Sequence, residues 1–181
     1  TSTTGTIYYT TDGNDPRLPG GGINPNSISI GGGSSQTNFI QLQENGWKFL
    51  DTGTAQSDSA TVVGNADYNS SDWKHPFFND TSWVTGRALL GYGTINGRTM
   101  NTDLNFQTPR LPTIYFRKSF TVTDAASFTR LNLNFARDDG AIVYLNGKEI
   151  GRSNMNGGNQ QYEDYAISAT SDEGGLINLG T

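Results

Sequence analysis

The chain has 181 residues, of which 33% are hydrophobic, 11% are aromatic, 16% are charged and 23 are glycines. Its formal net charge is −5 without any run of Lys and Arg, which argues against a nucleic-acid-binding surface. No apolar run is long enough to insert into a membrane, and the absence of cysteine leaves the compartment open. Short strands joined by Gly- and Asn-rich loops fit this composition better than helices.

In the first half of the chain, the residue pattern predicts short strands separated by Gly-rich stretches. These strands are expected at Thr6–Thr10, Ser27–Ile30, Asn38–Gln43, Trp47–Asp51 and Arg87–Gly91. The Gly- and Ser-rich stretch at residues 31–35 is a predicted linker. We therefore expect a boundary near residue 43, between segments 1–42 and 43–181.

The second half carries the clearest alternation of apolar and polar residues. In Thr129–Arg137, three apolar residues alternate with polar ones: Leu131, Leu133 and Phe135. In Thr113–Val122, the residues that share the apolar face are Ile114, Phe116, Phe120 and Val122. A period of two residues predicts half-buried strands in both stretches.

A hairpin is predicted around Asn146-Gly147, which lies between Ala141–Leu145 and Lys148–Arg152. Both turn residues tolerate the positive φ of a type I′ turn. Ala141–Leu145 is apolar on both faces and is expected to be a central strand, separated from the preceding strand by a turn at Asp138-Asp139-Gly140. A short helical turn is expected only at Thr123–Ser127.

The pattern as a whole predicts an all-β protein in which two antiparallel sheets pack as a sandwich. The residues expected inside are Trp47, Trp83, Phe116, Phe120, Leu131, Leu133 and Phe135.

Two stretches resemble known families. The first is Ile7-Tyr8-Tyr9-Thr10-Thr11-Asp12-Gly13-Asn14-Asp15-Pro16-Arg17. It resembles the late part of the immunoglobulin-like domain found at the C-terminus of chitobiases and β-hexosaminidases. The resemblance implies that residues 1–42 are a fragment of such a domain followed by a linker.

The second resemblance covers residues 43–181. Its motifs are Trp47-Lys48-Phe49-Leu50-Asp51, Trp73, Phe78-Asn79-Asp80-Thr81-Ser82-Trp83, Tyr115-Phe116-Arg117-Lys118 and Asp138-Asp139-Gly140-Ala141-Ile142-Val143-Tyr144-Leu145-Asn146-Gly147. They resemble the galactose-binding-like jelly-roll modules of large secreted bacterial proteins. The resemblance implies a non-catalytic, extracellular or cell-surface β-sandwich. It also implies that this chain lacks the closing strands that follow the region of Asp172-Glu173 in that family.

Catalysis is not expected from this sequence. His75 is the only histidine, and no serine stands in a Gly-x-Ser-x-Gly context. The adjacent carboxylates are Asp138-Asp139 and Asp172-Glu173, and neighbours on a strand point to opposite faces. They are poorly placed to flank one glycosidic bond.

Asp12, Asn14 and Asp15 are the candidate metal ligands. Their oxygens suit a structural Ca²⁺ ion. The same Asp-Gly-Asn-Asp-Pro run also fits an ordinary turn with Asx hydrogen bonds, and no EF-hand spacing is present.

Sugar binding needs an exposed aromatic ring beside hydrogen-bonding groups. The candidates lie in the irregular region between residues 52 and 112: Tyr68, Trp73, His75, Phe77 and Tyr92. Trp73 fits a core position as well as a binding one, and Arg117 fits a pairing with a buried carboxylate. Asn69 and Asn79 stand in N-glycosylation sequons, which also occur by chance in a chain so rich in Asn, Ser and Thr.

These observations leave three hypotheses. The first is a module of a secreted bacterial protein that binds a polysaccharide or glycan, or positions neighbouring domains. The second is a structural subunit of an extracellular fibre or surface assembly, in which Thr6–Thr10 of one copy completes a sheet of the next by strand complementation. The third is a fragment of an enzyme whose chemistry lies on other domains.

Overall fold

The computed structural model describes residues 7–11, 14–20, 22–25, 27–30, 37–57, 72–95, 97–128, 130–170 and 176–180. For the strands Ile7–Tyr9, Ile28–Ile30 and Leu176–Gly180 it describes the backbone alone. The chain divides into two compact units, Thr1–Asn38 and Phe39–Thr181. Phe39 belongs to the second unit because its ring packs against Phe120 at 5.4 Å and Phe128 at 5.2 Å between centroids. The division therefore lies slightly before the boundary expected near residue 43.

The first unit contains one antiparallel pair, β1 (Ile7–Tyr9) with β2 (Ile28–Ile30), among its described residues. Ile7 lies opposite Ile30, and both strands fall within the predicted ranges. Between them, Arg17 and Ile23 form an isolated bridge, closed by the Leu18 amide donating to the Gly22 carbonyl at 2.6 Å.

The second unit contains eleven strands within the part that the structure describes. They are β3 (Asn45–Leu50), β4 (Val84–Arg87), β5 (Leu90–Gly91), β6 (Thr94–Ile95), β7 (Arg98–Thr99), β8 (Thr102–Asp103), β9 (Tyr115–Arg117), β10 (Asn132–Ala136), β11 (Ala141–Leu145), β12 (Lys148–Ser153) and β13 (Leu176–Gly180). The helical content described is one 3₁₀ turn at Ala125–Ser127, as predicted. The protein is all-β.

A three-stranded antiparallel sheet, β4-β3-β9, contains two of the buried apolar residues, Phe49 and Tyr115. Leu50 lies opposite Tyr115 and Lys48 opposite Arg117, so these four side chains share one face. Phe49 and Phe116 lie opposite each other on the other face. Both faces are covered, because Phe49 is 3% exposed and Tyr115 is 8% exposed.

The apolar core described comprises Phe49, Trp83, Ala88, Met100, Leu104 and Tyr115. Of the residues predicted inside, Trp83 is buried, as expected. The other six are half-buried rather than buried: Trp47, Phe116, Phe120, Leu131, Leu133 and Phe135. The apolar alternation around Phe116 therefore gives too little weight to Tyr115, which packs on the opposite face.

The predicted hairpin is confirmed. β11 and β12 pair antiparallel with Leu145 opposite Lys148, and the turn residues Asn146 and Gly147 have φ of 49° and 82°. A register shift follows Val143, so Ile150 is left outside the one-to-one pairing.

Two local predictions were wrong. Asn38–Gln43 forms no strand, because the Gln41 amide donates to the Glu44 carboxylate at 2.8 Å and closes a turn instead. Within Thr113–Val122 the strand is confined to Tyr115–Arg117. Among the described strands, Ala141–Leu145 pairs with β12 alone, and its expected central place in a sheet stays a prediction.

The turn at Asp138-Asp139-Gly140 is present, with Asp139 at a φ of 60°. It does not join paired strands, because β10 pairs with β13 rather than with β11. A side chain at Gly140 would lie 3.0 Å from the Ala166 Cβ and 3.1 Å from the Asn154 carbonyl, so the close approach requires glycine.

The remaining described sheets are small. β5 pairs with β8 in parallel, and β6 pairs with β7 antiparallel. The arrangement of two packed antiparallel sheets stays a prediction, and so does the absence of closing strands. Leu176–Gly180, for which no strand was predicted, pairs with β10 along its whole length.

Candidate functional site

The structure distributes the predicted sugar-binding residues among separate ring contacts. Trp73 packs among other aromatic rings, His75 and Phe77 form a pair, and Tyr92 lies beside Phe106 and Arg110. Tyr68 lies outside the described residues.

Trp73 lies edge-on to two rings, those of Tyr115 at 4.9 Å and Tyr144 at 5.7 Å between centroids. Trp83 also contacts Tyr115, at 6.2 Å. These contacts tie β9, β11 and the 72–83 loop together, which is the role expected of a packing tryptophan. A binding role for Trp73 stays a prediction.

Arg117 holds the 72–83 loop against the sheet. Its Nε donates to the Asp80 carboxylate at 2.9 Å, Nη2 donates to the His75 carbonyl at 3.1 Å, and Nη1 donates to the Trp73 carbonyl. The expected pairing of Arg117 with a carboxylate is present, although Asp80 is half-buried rather than buried. Asp72, in the same loop, is fully buried and accepts a hydrogen bond from the Lys74 amide at 2.8 Å.

His75 and Phe77 form an aromatic pair within this loop. Their ring centroids are 5.6 Å apart, and the Phe77 amide donates to His75 Nδ1 at 3.0 Å. Phe77 is 82% exposed, the largest exposure among the described large apolar residues. The pair therefore offers apolar surface to solvent.

The most elaborate exposed group is the one around Tyr92, which we call the aromatic–arginine cluster: Tyr92, Phe106 and Arg110. The two rings are nearly perpendicular, at 85° with centroids 5.6 Å apart. The Arg110 guanidinium carbon lies 4.7 Å from the Tyr92 centroid and 4.2 Å from the Phe106 centroid. Such cation–π contacts hold the guanidinium in place above the rings.

The cluster rests on a buried carboxylate. Asp51, 8% exposed, follows β3 and accepts a hydrogen bond from the Asn105 amide at 2.6 Å. The Tyr92 hydroxyl donates to the Asn105 carbonyl at 3.5 Å. Partial burial disfavours the phenolate and raises the pKa of Tyr92, and the charge of Asp51 acts in the same direction. Tyr92 therefore stays a neutral hydrogen-bonding group at physiological pH.

The cluster combines apolar ring surface with hydrogen-bond donors. Phe106 remains 59% exposed although Arg110 lies over its ring, and Arg110 itself is exposed. An exposed aromatic ring can pack against the C–H face of a sugar, while a guanidinium donates to sugar oxygens.

Tyr92 was predicted from the sequence, whereas Phe106, Arg110, Asn105 and Asp51 were not. Leu104 and Phe106 alternate with polar residues in a short run that ends at Pro109. Such a run fits a core position for Phe106 as well as an exposed one, so the signal did not mark Phe106 as a surface residue. Their convergence depends on the contact between this loop and the end of β3.

At the predicted calcium segment, Asp12 lies outside the described residues. Asn14 and Asp15 are exposed, and the Asp15 carboxylate accepts the Arg17 amide at 2.8 Å. This hydrogen bond lowers the pKa of Asp15. The described part of the chain holds no group of three or more His, Cys, Asp or Glu side chains suited to a metal. A calcium site at this segment stays a prediction.

Asn79 is exposed, and its side-chain oxygen accepts from the Thr81 amide at 3.2 Å and hydroxyl at 2.7 Å. Asn69 lies outside the described residues. Glycosylation at both sites stays a prediction. The Asp139 carboxylate accepts a hydrogen bond from the Thr170 amide at 3.1 Å and so caps a loop.

Comparison of the chain with models of known families, with curated proteins and with solved structures gave no match. The two family resemblances therefore stay predictions. Among the described residues, no helix has the length and apolar character needed to cross a membrane.

Proposed function

We propose that this chain is a non-catalytic carbohydrate-binding module of a secreted bacterial protein. The observation that carries the proposal is the aromatic–arginine cluster, in which exposed ring surface and guanidinium donors stand together on a buried support. The Gly-, Asn-, Ser- and Thr-rich all-β character and the resemblance to secreted jelly-roll modules support an extracellular or cell-surface location.

The cluster has the physical features of a sugar-binding surface. Its rings are held by each other and by Arg110, so little side-chain freedom is lost on binding. Its backbone is fixed through the Asn105 amide to Asp51, which keeps Phe106 at the surface despite its apolar character. An apolar side chain that the surrounding structure holds at the surface indicates a binding site more strongly than an isolated exposed side chain does.

Affinity electrophoresis in gels containing soluble polysaccharides tests the proposal. We expect retardation of the full chain by at least one polysaccharide, and Phe106→Ala to weaken that binding at least tenfold, or about 1.4 kcal/mol. Tyr165→Ala is the matched control, because Tyr165 is also an exposed aromatic residue, at 63% exposure, outside the cluster. Binding that survives Phe106→Ala but is lost in Phe77→Ala would assign the site to the His75–Phe77 pair.

Absence of catalysis is the second part of the proposal. The purified chain is expected not to hydrolyse chitin oligomers, aryl glycosides or phosphate esters. Turnover that disappears in His75→Ala or Asp138→Asn would contradict it.

A further inference from the structure

We propose that the ligand of the aromatic–arginine cluster is an acidic polysaccharide, recognised through a carboxylate or sulfate group bound by Arg110. This inference rests on the proposed function and narrows it to one class of ligand.

The hydrogen-bonding state of Arg110 is the first observation. Its guanidinium carbon lies 4.7 Å from the Tyr92 centroid and 4.2 Å from the Phe106 centroid, yet within the described part of the chain the guanidinium donates no hydrogen bond and forms no ion pair. A guanidinium has five N–H donors in its plane, arranged as a fork that matches a carboxylate or a sulfate. Ring contacts leave those in-plane donors unused.

Other arginines of the chain contrast with Arg110. Arg117 donates to one carboxylate and two carbonyls, and Arg152 donates to Glu149 and to the Asn156 and Gly158 carbonyls. Those guanidiniums are occupied in holding loops. Arg110 instead contacts the two rings of the cluster, and these contacts use none of its donors in hydrogen bonds to described residues.

The charge along the chain is the second, independent observation. The whole chain is acidic, with a formal net charge of −5. Residues 84–118, which contain the cluster, carry five Lys and Arg residues and one acidic residue, Asp103. Three of the five basic residues are exposed: Arg87, Arg98 and Arg110. The segment that builds the cluster is thus basic in an otherwise acidic protein, which favours an anionic ligand.

Neutral sugars do not require this arrangement, because amide and hydroxyl groups can recognise their oxygens. Each charge-assisted hydrogen bond to an anion is roughly twice as strong as a neutral one, and a two-point contact makes two such bonds. Phe106 then supplies the apolar contact to the sugar ring that carries the acidic group.

The test uses the full chain in affinity electrophoresis against matched pairs of polysaccharides. Polygalacturonate and its fully methyl-esterified form share a backbone and differ in charge, and κ-carrageenan supplies a sulfated chain to compare with neutral agarose. We expect at least tenfold tighter binding to one acidic member than to its neutral counterpart, with binding weakened by added salt. Preference for the uronate or for the sulfate identifies which anion Arg110 takes.

Variants locate the effect. Arg110→Gln is expected to lower affinity for the acidic polysaccharide at least tenfold, and Arg110→Lys to recover part of it, since lysine keeps the charge but lacks the fork. Arg130→Gln is the control. Arg130 is exposed and lies outside residues 84–118, and its substitution removes the same positive charge as Arg110→Gln. Thermal unfolding of each variant shows that the fold is retained.

Two results would overturn the inference while leaving the proposed function intact. One is binding of equal strength to the charged and the neutral polysaccharide of a matched pair, with that binding lost in Phe106→Ala. The other is an equal loss in Arg110→Gln and Arg130→Gln, which would indicate general charge attraction. Failure to bind any polysaccharide would overturn both proposals.

Discussion

Arg117 shows how a single side chain positions a whole loop. Its side chain is 12% exposed and that of its partner Asp80 is 25% exposed, so both charges are largely removed from water. The guanidinium also lies over the Phe78 ring, at 5.2 Å. With the two carbonyls of Trp73 and His75 it binds four groups of one loop, so removing it leaves several polar groups without a partner.

We expect Arg117→Met to lower the free energy of unfolding by about 2–3 kcal/mol, because Asp80 would be left as a largely buried unpaired charge. Urea denaturation followed by tryptophan fluorescence measures the change. Arg130→Met, at an exposed position, should change stability by less than about 0.5 kcal/mol. Similar values for the two variants would show that the loop does not depend on Arg117.

The ion pair of a second arginine, Arg152, makes the stability of the fold depend on pH. Arg152 donates to both oxygens of Glu149, at 2.7 and 2.6 Å, and this hydrogen bonding lowers the pKa of Glu149 below its usual 4.5. Because the folded pKa lies below the unfolded one, the pair stabilises the fold above the unfolded pKa and loses that contribution as the pH falls through the folded pKa.

Glu149→Gln should therefore cost about 0.5 kcal/mol at pH 7, the usual size for a partly exposed ion pair. The difference from wild type should shrink steadily as the pH is lowered below 4.5, the usual pKa of the carboxyl. Urea denaturation of both proteins between pH 7 and pH 3 measures it. A difference that does not vary with pH would mean that the substituted amide replaces the interaction fully or that the pair is absent in solution.

At the scale of elements, the β11–β12 hairpin depends on its turn. Gly147 has a φ of 82°, a region that a β-branched residue resists. Gly147→Val is expected to destabilise the protein by about 1 kcal/mol or more. Gly157→Val is the control, since Gly157 lies in open space. Equal thermal stability of Gly147→Val and wild type would show a different turn in solution.

The elements that the sequence predicted correctly are those determined by neighbouring residues. Asn146-Gly147 accepts positive φ locally, and Thr123–Ser127 contains its own 3₁₀ turn. Leu176–Gly180 was missed because its partner strand, Asn132–Ala136, lies far away along the chain. Tyr115 was missed as a core residue because the loop that covers its face approaches from residues 72–83.

The candidate site was partly predictable for the same reason. The sequence identified Tyr92 as a sugar-binding candidate because it is an aromatic residue in an irregular region. It identified His75 and Phe77 as candidates on the same ground. Phe106 and Arg110 reach Tyr92 only because Asn105 is anchored to Asp51, a contact between residues 54 positions apart. Composition and spacing carry no information on such a contact, whereas the basic character of residues 84–118 could be read from the sequence directly.

At the scale of the whole molecule, the second unit contains the described aromatic core and the candidate site. Each of the two units forms its own contacts, Thr1–Asn38 around the β1–β2 pair and Phe39–Thr181 around Phe49, Trp83 and Tyr115. The hypothesis of a fibre requires Thr6–Thr10 to pair with another copy. In the single chain, Ile7–Tyr9 pairs instead with Ile28–Ile30 of the same unit, which occupies one edge of that strand.

We therefore expect residues 39–181, produced without the first unit, to fold with a cooperative thermal transition and to bind the same polysaccharide as the full chain. Both proteins should sediment as monomers at micromolar concentration, because the pairing with Ile28–Ile30 already occupies one edge of the proposed donor strand Ile7–Tyr9. Sedimentation velocity and electron microscopy of the two proteins measure this. Filaments formed by the full chain but not by residues 39–181 would contradict the expectation and favour strand complementation, since the shorter protein lacks the donor strand. Unfolding of residues 39–181 would instead show that the second unit depends on the first.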